Sequence, residues 1–338
     1  MLLSIGGSAF NLCALVAGII LLIKGADVFV QEASNIARKF KIPELVIGLT
    51  IVAFGTSAPE LAIGITSSFH QQGGVALGDV VGSNIANIGL VLGLSAFISP
   101  IFIKEDVLKK EFPFLIFASF LLILFSCDHL ITKTNNAITF FEALVFLLCV
   151  VYYCVKSIKK AKENITEVSE EKNNFSLKSI FFLLFGLIGI VIGAHFVTNS
   201  TASFAESIGV ALGVEKELLS NLISLTIIAV GTSLPELVTS IIAAKKGQNE
   251  IALGNVIGSN IFNILFICGV SGIIRPLTVT NDILTDIFIS FFLTLFVFLI
   301  GLKKKLGKKT GLILLIFYVA YLVYTIIRIF NPGLVITI

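Results

Sequence analysis

The strongest constraint on this chain is that part of it occurs twice. Residues 49–61, LTIVAFGTSAPEL, recur without gaps as residues 225–237, LTIIAVGTSLPEL, at an offset of 176, with ten of 13 positions identical. Residues 76–88, ALGDVVGSNIANI, recur at the same offset as 252–264, ALGNVIGSNIFNI, again with ten of 13 identical. Two matches in a single register mark a duplicated structural unit. Both copies lie in long apolar stretches, which narrows the kind of unit it is.

Hydrophobic residues make up 56% of the 338 positions and charged residues 13%, about half the charged share of a soluble domain. Mean hydropathy is +1.02, which excludes an ordinary globular enzyme. A bilayer span needs about 20 apolar residues. Ten stretches qualify: 8–35, 44–68, 75–99, 111–127, 136–156, 177–205, 218–243, 250–273, 283–302 and 310–330. The apolar N-terminus lacks a basic leader and reads as a retained first span. The polar segment 157–176 reads as a solvated linker between a first unit, 1–156, and a second, 177–338.

Alternate loops differ sharply in charge. One set carries 19 Lys and Arg residues: Arg38, Lys39 and Lys41, Lys104, Lys109 and Lys110, six lysines from 156 to 178, Lys245 and Lys246, and five from 303 to 309. The other set carries four: Lys133, Lys216, Arg275 and Arg328. The positive-inside rule makes the rich set, including the linker, cytoplasmic and both termini external. Five spans per unit is odd, so the two copies cross in opposite directions. The expected fold is therefore an all-α integral membrane protein with ten transmembrane helices, arranged as two inverted five-helix repeats. Substrate sites in such proteins lie near the midplane, where helices are broken.

The break is written into Gly55-Thr56-Ser57-Ala58-Pro59-Glu60 and Gly231-Thr232-Ser233-Leu234-Pro235-Glu236. Proline has no N–H and clashes with the carbonyl four residues back. Irregular backbone inside a bilayer is tolerated only when it is buried in protein or lines a cavity. One residue later comes a carboxylate, which costs about 2.5–3.5 kcal/mol at a span centre. Glu60 and Glu236 therefore require positive partners, and the repeat supplies none. Lys24, the one base deep within a span, has Asp27 three residues on and is expected to pair with it.

More oxygen donors come from the second motif. Ser83 with Asn87, and Ser259 with Asn263, share helix faces at i and i+4. Gly78 with Gly82, and Gly254 with Gly258, have the spacing of close helix packing. Asp79 and Asn255 are a mismatch of the repeat near this site. The centre is all oxygen, with no cysteine or histidine. Cys13, Cys127, Cys149, Cys154 and Cys268 are scattered through apolar sequence, and His70, His129 and His195 form no cluster. Such a site suits hard cations: calcium takes six to eight oxygens, and two carboxylates balance one divalent charge. The same oxygens can hold sodium.

At these motifs the sequence resembles the two alpha-repeats of the sodium/calcium exchanger family, within the calcium/cation antiporter superfamily. It is most similar to the prokaryotic type without a regulatory domain. The resemblance implies calcium ligation by Glu60 and Glu236 with the carbonyls of Thr56 and Thr232. It implies sodium ligation by Ser57, Ser83, Ser233 and Ser259 with the carbonyls of Ala53 and Ala229, and a central pair at Asn87 and Asn263. Many members of the family carry Asp at one of those two positions, so the double Asn removes one negative charge and reopens the identity of the coupling ion.

The expected activity is antiport of calcium against sodium by alternating access, with no enzyme chemistry and no cofactor. The partners implied are the two ions and the lipid bilayer of the cell membrane, with no nucleic acid and no obligate protein partner. Proton-coupled or potassium-dependent exchange is the nearest alternative and a cation channel a distant one. An intramembrane hydrolase using Ser57 or Ser233 lacks a base at helical spacing.

Overall fold

The computed structural model describes residues 2–40, 42–127, 136–163, 177–211 and 229–331. The chain is almost entirely helical. In order it forms α1 (Leu2–Phe40), α2 (Glu44–Thr56), α3 (Ala58–Phe69), α4 (Gly73–Ile98), α5 (Phe112–Ser126) and α6 (Phe140–Glu163). After the linker come α7 (Leu177–Ala211), α8 (Ala229–Thr232), α9 (Leu234–Lys245), α10 (Asn249–Ile274), α11 (Asn281–Gly301) and α12 (Lys308–Phe330).

Seven of the described helices are long and apolar enough to cross a membrane, or eight if α2 and α3 count as one bent span. At the other two expected positions stand α5, preceded by a π-helical turn over Val107–Glu111, and the pair α8–α9. The start of the expected span 218–243 lies outside the described residues, as do His129, Lys133, Lys216 and linker residues 164–176. Residues 157–163 of the expected linker continue α6 as helix. Lys159 and Lys160 come in good helix-forming sequence, so the helix runs past the apolar stretch before it ends.

Burial is arranged for an apolar solvent. Phe141, Leu148, Phe181, Phe292 and Ile316 point outward and are exposed, whereas Glu60, Asn87, Glu236, Asn255 and Asn263 are enclosed. Two clusters make up the apolar core. The larger joins α4, α5, α6, α10, α11 and α12, and the smaller joins α1 and α7 with parts of α2, α9 and α10. Helices α1 and α7 touch backbone to backbone: a Cβ on Gly25 would lie 2.8 Å from the Gly186 carbonyl oxygen.

Four two-residue strands tie the loops together. Strand β1 (Ile101–Phe102) pairs with β4 (Lys305–Leu306), and β2 (Ala137–Ile138) pairs with β3 (Leu277–Thr278). Helix α11 begins just after β3 and ends just before β4. Its 21 residues, about 32 Å at 1.5 Å each, hold the two pairs at opposite ends of the bundle. Helix α4 therefore runs toward one end and α10, its repeat counterpart, toward the other. At the β1–β4 end Lys104 meets Glu250 at 2.5 Å and Asn249 donates to the Pro100 carbonyl, so three of the lysine-rich loops share that end.

The expected Lys24–Asp27 pair does not form. Asp27 instead meets Lys246 at 2.9 Å, and Lys24 lies on the exposed face of α1. Residue 246 follows the C-terminus of α9, which packs beside α1, and its ammonium also takes the Asp27 carbonyl. At the other end of the molecule Arg328 binds Asp286 through two hydrogen bonds of 3.0 and 2.9 Å, with side chains only 11% and 13% exposed. Removing one member leaves a nearly buried charge alone. Arg328→Ala is expected to cost about 3 kcal/mol, read as a lower unfolding midpoint in detergent, while Arg328→Lys recovers only part.

Candidate functional site

The site begins with two breaks. Helix α2 contains a π-helical turn over Gly48–Val52, and the chain bends by 47° at Ser57 before α3 resumes. Ser57 has φ −82° and ψ 13°, and Ser233 between α8 and α9 repeats this with φ −83° and ψ 4°. Pro59 and Pro235 thus fall in the first turn of a new helix, where a missing N–H is harmless. Glu60 and Glu236 fall in the same first turns, where the helix dipole favours negative charge.

Both carboxylates are buried, Glu60 at 1% exposure and Glu236 at 0%. Glu236 Oε1 accepts from Ser57 Oγ at 2.9 Å and from Ser259 Oγ at 3.4 Å, so residues of both repeats meet there. The Ala53 carbonyl accepts from the Ser57 N–H at 3.0 Å and from the hydroxyls of Thr56 at 3.3 Å and Ser259 at 3.5 Å. Ser83 lies beside Glu60, and Glu60 is within electrostatic reach of Glu236 and Asp79. Of the twelve residues singled out in sequence, eleven are buried; the side chain of Ala229 lies outside the described set.

Seven oxygens of these residues are enclosed without a hydrogen-bond partner: both of Glu60, Oε2 of Glu236, the hydroxyls of Ser83 and Ser233, and Oδ1 of Asn87 and Asn263. Each such group costs about 1–3 kcal/mol if nothing satisfies it, and more when charged. All seven can accept, and a cation is the partner that satisfies acceptors together. The donor set fits calcium and sodium, which take oxygen ligands, and offers nothing to a soft metal.

The amides are held by each other. Asn87 Nδ2 donates to Asn260 Oδ1 at 3.0 Å, and Asn263 Nδ2 donates to Asn84 Oδ1 at 3.1 Å. Exchanging each residue for its counterpart 176 positions away turns one bond into the other. Asn84 and Asn260 were not among the expected site residues, although both stand in the duplicated GSNI segment, three positions before Asn87 and Asn263. The π-helical turns Asn87–Leu92 and Asn263–Ile267 begin at those same two asparagines. Such turns widen a helix locally and occur often at functional sites. Asn255 also belongs to the shell, accepting from Thr56 Oγ1 at 3.0 Å and donating to Ser240 Oγ at 2.9 Å.

The spacing glycines of α10 do pack as expected. A Cβ on Gly254 would lie 2.8 Å from the Leu45 carbonyl oxygen, and one on Gly258 would lie 2.6 Å from that of Leu49. The stretch equivalent to the one they touch, 221–228, lies outside the described residues, so the partners expected for Gly78 and Gly82 do too.

An all-helical bundle with an apolar exterior and a buried cage of oxygen acceptors defines a membrane transport protein for cations. The chain belongs to the sodium/calcium exchanger protein family, which it matches over residues 10–159 and 178–327. It is 36% identical to the sodium/calcium exchanger MaX1 of Methanosarcina acetivorans, over 93% of this chain and 97% of that one. It is 35% identical to the inner membrane protein YrbG of Escherichia coli, over 78% and 79%. A solved structure of the sodium-calcium exchanger NCX_Mj, soaked in sodium without calcium, superposes with a TM-score of 0.79 at 31% identity. That match covers 96% of this chain and 99% of the other.

Proposed function

We propose that this chain exchanges calcium for sodium by alternating access, using one site shared between two inverted five-helix repeats, 1–156 and 177–338. The observation that carries this reading is the pair Glu60 and Glu236, both buried, presenting three unpartnered carboxylate oxygens inside a shell of hydroxyl, carbonyl and amide oxygens. Opposed directions of α4 and α10, and asparagine bonds that interchange at the offset of 176, support the inverted arrangement.

Glu60 and Glu236, with the Thr56 and Thr232 carbonyls, hold calcium. Ser57, Ser83, Ser233 and Ser259, with the Ala53 and Ala229 carbonyls, hold sodium, and Asn87 and Asn263 close the centre. An empty site leaves negative charge in a closing cavity, which is costly, so only the loaded carrier switches sides readily. The lysine-rich loops face the cytoplasm, with the 157–176 linker among them.

Asparagine at both 87 and 263 favours one rival, proton-coupled exchange. Purified protein in vesicles separates them: calcium uptake driven by an outward sodium gradient at equal pH supports sodium coupling. Uptake driven only by a pH gradient overturns it. Asn263→Asp adds a charge and takes away the amide that Asn84 Oδ1 accepts. The sodium concentration for half-maximal exchange is expected to fall by about tenfold, one carboxylate's contribution of roughly 1.4 kcal/mol.

A further inference from the structure

An asparagine side chain carries an oxygen at one corner and an NH2 group of nearly the same shape at the other. Beside a cation only the oxygen serves, so Asn87 and Asn263 need a contact that decides which corner faces the cage. Helical spacing brings them to it. Ser259, one turn before Asn263 on the same face of α10, donates to Glu236 Oε1 at 3.4 Å. Ser83 stands in the same relation to Asn87 on α4.

The deciding contacts come from the opposite repeat. Asn260 Nδ2 donates to the backbone carbonyl of Asn84 at 3.3 Å. A carbonyl only accepts, so the Asn260 nitrogen is held there and its oxygen is turned toward Asn87. Asn87 answers with Nδ2 at 3.0 Å, which leaves its own oxygen as the free corner. On the other side Asn84 Oδ1 takes Asn263 Nδ2 at 3.1 Å, and the Asn263 oxygen is left over. None of the four side chains is more than 1% exposed. Among the described residues, Oδ1 of Asn87 and Oδ1 of Asn263 are the atoms of these four amides that are enclosed without a partner. A buried acceptor in that state is costly, and a cation in the cage removes the cost.

We propose that Asn84 and Asn260 are positioning residues: each reaches across from its own repeat, engages the nitrogen of Asn263 or Asn87, and so turns that residue's oxygen into the ion cage. This rests on the reading of the cage as the cargo site. Helix α4 thus carries the group that orients a ligand on α10, and α10 the group that orients a ligand on α4. Neither ligand is set until the two helices are packed together.

Asn84→Ala and Asn260→Ala remove the orienting group and leave the ligand in place. Equilibrium binding of radioactive calcium to purified protein, with and without competing sodium, reads the effect. The half-saturating concentration of calcium or of sodium is expected to rise about five- to tenfold, the net worth of roughly one hydrogen bond. A contribution to folding alone would weaken binding in every background, whereas an orienting contribution does not. Asn84→Ala adds nothing once Asn263→Ala has removed the oxygen it orients, and Asn260→Ala adds nothing once Asn87→Ala has done so. In the crossed combinations, Asn84→Ala with Asn87→Ala and Asn260→Ala with Asn263→Ala, the factors multiply. No weakening by either single variant, or equal weakening in matched and crossed backgrounds, overturns the proposal.

The unaltered protein gives a check that no folding defect can spoil. A structure with calcium, at a resolution that separates amide nitrogen from oxygen, is expected to keep the Nδ2 bonds of Asn87 to Asn260 and of Asn263 to Asn84. Either nitrogen turned into the cage overturns the assignment. Glu60→Gln separates the two failures. Calcium binding that survives in Glu60→Gln defeats the functional reading itself. Binding lost there, but unchanged in Asn84→Ala and Asn260→Ala, defeats only the positioning role.

Discussion

Glu60→Gln and Glu236→Gln each abolish calcium exchange while leaving a folded protein in the membrane. Glutamine has nearly the shape of glutamate, so packing is kept and only charge is lost. A unit charge about 4 Å away is worth roughly 4 kcal/mol at an effective dielectric of 20. That corresponds to about a thousandfold in calcium affinity, beyond the reach of ordinary assay concentrations. The two variants should differ in stability. Glu60 has only the neighbouring Ser83 hydroxyl as a polar side-chain contact, so Glu60→Gln melts close to or above the wild-type temperature when no cation is present. Glu236 accepts from Ser57 and Ser259, so Glu236→Gln gains less. Radioactive calcium uptake in vesicles, beside melting curves of the same preparations, checks both statements; normal uptake by either variant refutes the assigned roles.

The second large effect concerns Gly258. A Cβ there would sit 2.6 Å from the Leu49 carbonyl oxygen and 2.7 Å from Ala53 Cβ. Both obstacles belong to α2, and neither can rotate away. Gly258→Ala is expected to cost about 1–3 kcal/mol through overpacking. It also pushes the Ala53 carbonyl from Ser259, so exchange falls by more than the loss of folded protein explains. Gly258→Leu yields no folded protein. Gly74→Ala is the control, since a Cβ there meets its nearest neighbour at an ordinary 3.6 Å. Size-exclusion profiles together with exchange rates per folded molecule distinguish the three. A Gly258→Ala protein as stable and active as Gly74→Ala would contradict the close approach of α2 and α10.

Much of this was legible in the sequence because it depends on local pattern. The duplicated motif gave its own alignment, proline marked a break near Gly55 and Gly231 that falls two residues later, at Ser57 and Ser233, and an acid inside an apolar stretch identified Glu60 and Glu236. What escaped depends on which distant surfaces meet. The periodicity of a single helix cannot show that Asn87 reaches Asn260 and Asn263 reaches Asn84, because those contacts exist only when two copies pack across each other. Asp27 was assigned its neighbour Lys24 by helical spacing, yet its partner is 219 residues away on the α9 side. The π-helical turns at Asn87 and Asn263 leave no compositional trace, since one extra residue per turn changes which face a side chain takes without changing residue type. The expected span 136–156 ends where the apolar span Phe140–Ser157 does, while the helix itself continues to Glu163, because apolar content marks where lipid ends and not where helix ends.

One divalent ion gripped jointly by Glu60 and Glu236 is the central claim, and a crystal structure of the protein grown in calcium at low sodium tests it most directly. The account predicts a calcium ion with oxygens of both side chains about 2.3–2.6 Å away. Calcium bound elsewhere, or bound by only one of the two glutamates, would contradict it.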